Sequence, residues 1–292
     1  MTSTALAIFE EHRPVLFGIA YRMLGSVADA EDILQDAWLK WSSVDNQEVA
    51  HPRAYLARTV TNLSLNRLGS AAARRESYVG PWLPEPLVTA DDNAAREAEQ
   101  AEAVSLAMLV VLETLSPLER AVFVLRDVFG FQPTGIGRIL GRSEASVRQV
   151  SSRARSHVQA RRPRYDAPAQ TRRLVTDRFL AACLGGDLNQ VMELLAPDVT
   201  AWTDGGGKIR AARRPLYGAD HVARWILGVL RIPLPDVGVT PVLVNGEPGL
   251  LVTSAGAPDS VIAVDLNPAG QIEVIRLIRN PDKLRHLGAG QE

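Results

Sequence analysis

Three regularly spaced carboxylates lie near the start of the chain, in the string DAEDILQDAWLKW from residue 29 to 41. Intervals of three and four residues place Asp29, Asp32 and Asp36 on one face of a helix. Two tryptophans add large apolar area beside them. Ion pairing combined with apolar contact favours binding to a basic protein surface over binding to DNA. We predict a contact face that comprises Asp29, Glu31, Asp32, Gln35, Asp36, Trp38 and Trp41.

Two arginine-rich segments have the opposite chemistry. Residues 53–75 hold five arginines and no acid, and residues 136–164 hold eight arginines and one glutamate. Residues 76–102 between them carry a net charge of −6, although the whole 292-residue chain carries only −1. Arginines neutralise phosphates, so the pattern indicates contact with a nucleic acid at two places.

The first basic segment combines arginines with side chains that can hydrogen-bond to exposed base edges. Its predicted DNA-binding residues are Arg58, Thr61, Asn62, Asn66, Arg67, Arg74 and Arg75.

The second basic segment has the pattern of a helix-turn-helix. A short helix is predicted from Thr134 to Leu140, Gly141 turns the chain, and Ser143 caps a longer helix to about Ala160. The N-terminal part of such a second helix enters the major groove, where arginine reads guanine and glutamine reads adenine. The predicted DNA-binding residues are Ser143, Glu144, Ser146, Val147, Arg148, Gln149, Ser152, Arg153 and Arg155.

The elements that hold these residues are predicted from apolar spacing and capping signals. Helical periodicity runs from residue 4 to about 73, with Ser26 as a cap and Pro52 at the start of a third helix. A further helix is predicted from Ala94 to Leu115. The string SPLE at 116–119 is a capping box, which begins a helix that runs to about Phe129.

Proline interrupts the helical pattern between residues 80 and 93. Pro81, Pro84 and Pro86 surround Trp82 and Leu83, so this stretch is predicted to be an extended linker. Large apolar side chains favour burial, and we therefore expect the linker to pack against another part of the protein.

The last third of the chain has mixed signals. A helix is predicted at 171–184 and another around residues 222–230, and Asn245-Gly246 predicts a tight hairpin. Gly205 to Gly207 are predicted to join two strands. The predicted strands lie near 199–203, 208–213, 237–244, 249–254, 259–266 and 271–279. Helices packed on one side of a curved antiparallel sheet would form an α+β cone.

Both motif regions resemble those of bacterial sigma factors of the extracytoplasmic-function class. The resemblance rests on the strings DAED-x-x-Q-x-A-W in the acidic helix and SEASVRQ followed by RAR in the second basic helix. Three shorter strings match the subgroup that has a C-terminal SnoaL-like domain, a cone of the nuclear-transport-factor type. They are WLPEP at 82–86, DGGGK at 204–208 and NPDKL at 280–284.

This resemblance implies a multidomain protein with two all-α sigma domains followed by the cone. Residues 1–78 would be region 2, which binds core RNA polymerase and the minus-10 element, and 79–100 the linker. Residues 101–164 would be region 4, which binds the minus-35 element, and 169–287 the SnoaL-like domain. The acidic helix would bind the clamp coiled coil of the polymerase's largest subunit. The C-terminal domain would modulate activity from within the molecule, with no obligate separate anti-sigma factor.

The three short strings are the candidate regulatory contact. A tethered domain has an effective concentration of about millimolar, so even weak contacts are populated. We expect the linker to pack near the glycine turn and the C-terminal string, which sets the separation of the two DNA-binding domains. The residues are Trp82, Leu83, Pro84, Glu85, Pro86, Asp204, Gly205, Gly206, Gly207, Lys208, Asn280, Pro281, Asp282, Lys283 and Leu284.

Trp202, Asp204 and His221 are a candidate pocket for a small molecule in the cone, with Asp204 as the candidate base. An aspartate that begins a glycine turn commonly bonds to local backbone, so we predict no catalytic residue. The five histidines show no metal-ligand spacing, and neither a metal nor a cofactor is expected.

Cys183 is the only cysteine, and no apolar run approaches the roughly 20 residues that span a bilayer, so a cytoplasmic protein without membrane contact is expected. Two alternatives stay open: a small-molecule cyclase or isomerase fused to a DNA-binding module, and a stand-alone helix-turn-helix regulator.

Overall fold

A computed structural model describes residues 2–44, 49–90, 104–162 and 165–288. The chain divides into two compact units. One comprises Met1–Ser77 and Leu109–Arg162, and the other comprises Tyr78–Met108 and Pro163–Glu292. The segment predicted to be an extended linker that packs against another part of the protein thus belongs to the same unit as the C-terminal domain. Within the described ranges, no helix combines enough length and apolarity to cross a bilayer.

The first unit begins with helices α1 (Thr2–Leu24), α2 (Val27–Ser42) and α3 (Pro52–Glu76). The Ser26 hydroxyl accepts a hydrogen bond from the Asp29 backbone N–H, so the predicted cap of α2 is confirmed. The three helices share a core in which Leu16, Ile19 and Met23 are at most 1% exposed.

The unit resumes at Leu109, within helix α4 (Leu106–Glu113), and continues with α5 (Pro117–Phe123), α6 (Pro133–Leu140) and α7 (Glu144–Arg161). Both hydrogen bonds of the predicted capping box are present at the start of α5. The chain then continues as a π-helical turn at Val124–Val128. Of the helix expected from Ala94 to Leu115, only α4 lies among the described residues, because residues 91–103 are outside them.

The turn between α6 and α7 depends on two glycines. Gly141 adopts a left-handed conformation with φ of 61°, which ends α6. A Cβ on Gly137 would lie 2.6 Å from the Arg142 carbonyl oxygen, so glycine is required there for close approach of the backbone. The helix-turn-helix expected from the sequence is thereby formed.

The first three helices and the helices that follow residue 105 pack together through a buried arginine. Arg120, 3% exposed, donates to the Met23 carbonyl oxygen at 2.6 Å and to both carboxylate oxygens of Glu113 at 2.8 and 3.2 Å. The Arg22 guanidinium also lies 5.0 Å from the centre of the Phe129 ring. These contacts join residues 1–77 and 109–162 in one compact unit.

The second unit is a sheet whose longer helices pack on one face. Its helices are α8 (Ala169–Gly185), α9 (Leu188–Leu194), α10 (Ala219–Leu230) and α11 (Pro281–Leu284). Its strands are β1 (Val88–Ala90), β2 (Leu195–Asp204), β3 (Leu216–Tyr217), β4 (Gly238–Val244), β5 (Glu247–Ser254), β6 (Ala257–Leu266) and β7 (Ile272–Ile278). The core between helices and sheet includes Phe179, Val191, Val222, Val264 and Ile275.

The strand order is β1-β4-β5-β6-β7-β2-β3. The hairpin predicted at Asn245-Gly246 is confirmed, since both residues have positive φ and join the antiparallel strands β4 and β5. The prediction of a wholly antiparallel sheet is wrong, because β2 pairs with β7 in parallel. The strand predicted at 208–213 is also wrong: the strand that pairs with β2 is β3, after a longer turn.

Candidate functional site

The segment 78–90, which we name the strap, is built into the C-terminal unit. Its residues Leu83 to Pro86 are buried. Leu87 exchanges two hydrogen bonds with Asn245, one from the Leu87 N–H to the side chain at 3.2 Å and one from the Asn245 N–H to the Leu87 carbonyl at 2.7 Å. The strap then continues as β1, in which Val88 lies opposite Val244. The end of the strap is thus an edge strand of the cone's sheet.

The centre of the site is the carboxylate of Asp204, which ends β2 and is 0% exposed. One oxygen accepts hydrogen bonds from the Tyr78 hydroxyl and from the Gly206 N–H at 3.1 Å. The other accepts from the Leu83 N–H at 2.8 Å and from the Lys283 ammonium at 2.7 Å. Four donors match the four lone-pair positions of a carboxylate. Asp204 therefore joins the strap, the glycine turn and α11.

The Lys283 side chain is the positive partner at this centre and is 6% exposed. Its ammonium also donates to the Leu83 carbonyl oxygen, and it lies 4.1 Å from the centre of the Trp82 ring and 5.0 Å from that of Tyr78. A cation over an aromatic face is attracted by the ring's electrons, more so where water is excluded. Trp82 thus covers a charge in addition to filling space.

Burial and the hydrogen bond to Asp204 raise the pKa of the Tyr78 hydroxyl above its ordinary value. The hydroxyl consequently stays protonated and acts as a donor to Asp204 at neutral pH. It also accepts a hydrogen bond from the Asn280 side-chain amide at 2.7 Å.

The glycine turn after Asp204 approaches the C-terminal string closely. Gly206 has a φ of 60°, and a Cβ there would overlap the side-chain amide of Asn280. Asn280 in turn caps α11 through the Asp282 N–H at 3.1 Å. At the surface, the Lys208 ammonium pairs with Asp282 at 2.5 Å. The turn is therefore joined to α11 by one buried contact and one exposed contact.

The pocket predicted from Trp202, Asp204 and His221 is not formed. Ala201 and Thr203 face the interior between sheet and helices, so their strand neighbours Trp202 and Asp204 lie on the other face of β2. Trp202 is 36% exposed, His221 is exposed, and all four acceptor positions of Asp204 are occupied. The sequence alone does not show which face of β2 Trp202 and Asp204 occupy, and the prediction chose the wrong face.

In the helical unit, α2 presents an exposed face that includes Glu31, Asp32, Gln35 and Asp36. Trp38 is half-buried and packs edge-on against Phe9 at 5.3 Å between ring centres. The prediction that Trp41 belongs to the contact face is wrong. Its side chain is 0% exposed and donates its indole N–H to the Ala5 carbonyl oxygen at 2.9 Å. It is a core residue and cannot contact a partner.

The polar face of α3 differs from the prediction at one position. Arg58, Asn62 and Asn66 are exposed, whereas Thr61 is 0% exposed and faces the core. Thr61 therefore cannot reach a base edge in this arrangement. The side chains of Arg74 and Arg75 lie outside the described part of the chain.

Arg67 joins the two predicted interfaces to each other. Its guanidinium pairs with Asp29 at 3.0 Å and with Asp32 at 2.6 Å. An arginine expected to contact DNA thus neutralises part of the acidic face expected to contact polymerase. Neither set of residues is wholly available in this conformation.

The predicted recognition helix α7 presents most of its predicted residues to solvent. Arg148, Gln149, Ser152, Arg153 and Arg155 are exposed. Ser143 caps the helix through the Ser146 N–H at 3.2 Å, and Glu144 pairs with Arg148. The prediction that Val147 contacts DNA is wrong, since it is 1% exposed and packs in the core.

Sequence reasoning missed three residues that contribute to these sites. Tyr78 precedes the WLPEP string and binds Asp204, and the His286 ring contacts the Pro86 carbonyl oxygen at 2.9 Å. Leu39 is 59% exposed and follows Asp36 by three positions on the same face of α2. Helical spacing from the acidic residues would have identified Leu39.

The chain matches two sequence families, Sigma-70 region 2 over residues 8–74 and Sigma-70, region 4 over residues 105–158. It is 41% identical over 287 residues to the ECF RNA polymerase sigma factor SigJ of Mycobacterium tuberculosis. That match covers 94% of this chain and 91% of the relative.

The crystal structure of SigJ from the same organism resembles the present structure with a TM-score of 0.76 and 38% identity, over 98% of this chain and all of that chain. The α+β cone of SnoaL-like type expected from the sequence is thereby confirmed. A weaker likeness, with a TM-score of 0.40 and 18% identity over 55% of this chain and 94% of that chain, is to the sigma factor RpoE in complex with the anti-sigma factor NepR from Bartonella quintana.

Proposed function

Because this chain belongs to the extracytoplasmic-function RNA polymerase sigma factor family, we propose that α2 binds core RNA polymerase through its exposed acidic face. The observation that carries this assignment is the exposure of Asp32, Gln35 and Asp36 together with Leu39 on one side of the helix. Exposed carboxylates around an apolar side chain suit a basic surface that also offers an apolar contact.

The test is binding of the full chain to sigma-free core polymerase. A chain with Asp36→Arg and Leu39→Ala should bind at least tenfold more weakly than the parent chain. Glu11→Arg on α1 makes the same charge change at another exposed site and should bind normally. Equal binding by all three chains would reject this face as the interface. Asp29 and Asp32 are poorer test positions because both pair with Arg67.

For promoter DNA, we propose that α3 contacts the minus-10 element through Arg58, Asn62 and Asn66. The exposed arginines and Gln149 of α7 would contact the minus-35 element. Exposure and the order of polar and basic groups along each helix support this division.

We further propose that the helical unit must open to bind both elements. The elements are named for positions roughly 25 base pairs apart, which is about 85 Å of duplex at about 3.4 Å per base pair. The longest helix of the unit, α3, has 25 residues and is about 38 Å long. Contacts such as Arg120 to Met23 must therefore break before both elements are bound on one straight duplex.

We propose that the strap controls this opening. It lies in the chain segment that connects α3 to α4, and its anchors on the cone are Asp204 and Lys283. Release of the strap would free that connection and allow larger separations of the two DNA-binding segments. The cone would thus regulate the sigma activity within one molecule, in the cytoplasm.

Promoter-dependent transcription by core polymerase with the full chain tests the role of the strap. Trp82→Ala removes the ring over Lys283 and should change transcript yield severalfold. Trp202→Ala removes an exposed tryptophan elsewhere in the cone and should not. Unaltered yield with Trp82→Ala, combined with increased protease cleavage within 78–90, would show release without regulation and reject the proposal.

We also propose that Asp204 has no catalytic role. A general base needs a lone pair directed at the substrate, and the four hydrogen bonds to Asp204 use those positions for structure. This favours a regulatory cone over the fused cyclase or isomerase.

A further inference from the structure

The cone contains a cavity of about 630 Å³ between the concave face of the sheet and helices α8 and α10. Small-molecule sites commonly have volumes of about 300 to 1,000 Å³ and are lined mainly by apolar side chains. Here the walls include Phe179, Trp225, Leu250, Val252 and Ile262. The cavity is on the opposite face of β2 from Asp204, and it is therefore separate from the strap site.

Exposed apolar side chains concentrate around this cavity. Leu184, Leu230, Ile232 and Val237 all line it and are 67%, 50%, 42% and 52% exposed. Single exposed apolar residues are ordinary, but several at the entrance of one cavity indicate a binding site. An apolar occupant would cover side chains that now contact water.

One ion pair stands in a mainly apolar wall, whose other polar lining residues are Thr203, Ser260 and Arg231. Arg279 donates to Asp259 at 2.8 Å, and both side chains line the cavity with exposed fractions of 12% and 14%. The two charges compensate each other. An anionic ligand would have to compete with Asp259 for Arg279, and a displaced carboxylate left unpaired in such a place is costly. The pair thus favours a neutral ligand group that accepts from the arginine or donates to the aspartate.

The thiol of Cys183 also lines the cavity, and burial raises its pKa to about 12. A thiol that stays protonated is a poor nucleophile. Cys183 is therefore counted here as part of the apolar wall and not as a nucleophile.

We propose that this cavity binds a neutral, largely apolar small molecule that carries a hydroxyl or carbonyl group, with its apolar body against α8, α10 and the sheet and its polar group at Arg279 and Asp259. This extends the proposed sigma function by a ligand site but does not depend on the role of the strap. The concave shape distinguishes the site from a surface for a second copy of the chain, which would cover the rim and leave the interior empty.

The test uses Nile red, a neutral dye with a carbonyl group whose fluorescence rises in apolar surroundings, with the full chain at pH 7. We expect saturation at one dye per chain. Val252→Phe fills the cavity and should weaken dye binding at least tenfold. Leu251→Phe makes a similar enlargement at the next residue, whose side chain is on the other face of β5, and should leave binding unchanged.

A second pair of variants avoids the interior and so preserves folding. Leu184→Glu places a charge at the entrance and should weaken binding severalfold, whereas Leu174→Glu changes another exposed leucine of the same helix α8 and should not. Dye binding that Val252→Phe and Leu184→Glu leave intact would overturn the proposal. So would a chain that binds no dye and forms a dimer by light scattering, since the rim would then belong to a second copy.

Discussion

The Lys283 ammonium lies 2.7 Å from the Asp204 carboxylate in a pair from which water is almost wholly excluded, with side-chain exposures of 6% and 0%. The two residues come from the end of β2 and from α11, and the strap binds to both. One buried ion pair therefore supports the contact of three separate segments of the chain.

Replacement of Lys283 by methionine should lower the free energy of unfolding by about 3–5 kcal/mol, because it leaves a buried carboxylate without its cation. The double variant Asp204→Asn/Lys283→Met should lose less than the sum of the single changes. Urea denaturation of the full chain, followed by tryptophan fluorescence, measures both.

Lys208→Met is the matched control, since it removes an exposed ion pair with Asp282. Its expected effect is about 0–1 kcal/mol. Equal losses for the two lysines would contradict a special role for the buried pair.

Gly206→Ala should destabilise the cone more than Gly270→Ala. Both glycines have left-handed conformations, with φ of 60° and 77°, so each substitution costs about 1–2 kcal/mol. At Gly206 the new Cβ meets the side chain of Asn280, while at Gly270 no heavy atom beyond the adjoining residues lies within 4 Å in the described part of the chain. Thermal unfolding of the two variants compares them directly, and identical midpoints would refute the close approach.

Glu119 should contribute to the acid sensitivity of the helical unit. The Ser116 hydroxyl, which donates to its carboxylate at 2.7 Å, holds the pKa of Glu119 below its ordinary value. The native carboxylate binds a proton less tightly than the unfolded chain does. Its stabilising effect is thus present above the ordinary carboxyl pKa of about 4.3 and is lost as pH falls through the lower native pKa.

Glu119→Gln should therefore reduce the fall in urea midpoint between pH 6 and pH 3, with Glu11→Gln at an exposed position of α1 as the comparison. If the two variants show the same pH profile, the capping box does not supply the effect.

Arg148→Ala should relax base preference at one position of the minus-35 element. Its side chain is exposed in the second turn of α7, where a bidentate contact to guanine would give about 1–3 kcal/mol of discrimination. Selection of randomised minus-35 sequences by the reconstituted holoenzyme measures this. Arg161→Ala, in the last turn, should weaken binding uniformly, as loss of a phosphate contact does. Unchanged preference with Arg148→Ala would assign base reading to other residues.

The sequence predicted best those features that depend on neighbouring residues. The cap at Ser26, the capping box at 116–119 and the turn at Asn245-Gly246 each involve a few adjacent positions, and all three are present. The motif strings likewise led to the family, because they are local patterns.

Features that depend on long-range packing were less predictable. The parallel pairing of β2 with β7 joins residues such as Leu195 and Ile272 or Asp204 and Ile278, which are 77 and 74 positions apart, and no local pattern specifies it. Thr61 and Asn62 are adjacent, yet one turns into the core and the other outward, since neighbouring helical residues differ by about 100° in direction. Similarly, the pairing of Arg67 with Asp29 depends on how α2 and α3 meet.

The three residue pairs between β1 and β4 give the strap a protective role in addition to its anchoring role. Without β1, the apolar residues Val242, Leu243 and Val244 would form the border of the sheet with unpaired backbone groups. Such borders recruit strands from other chains and promote aggregation. If the strap is released as proposed, the exposed edge strand should promote self-association of the chain.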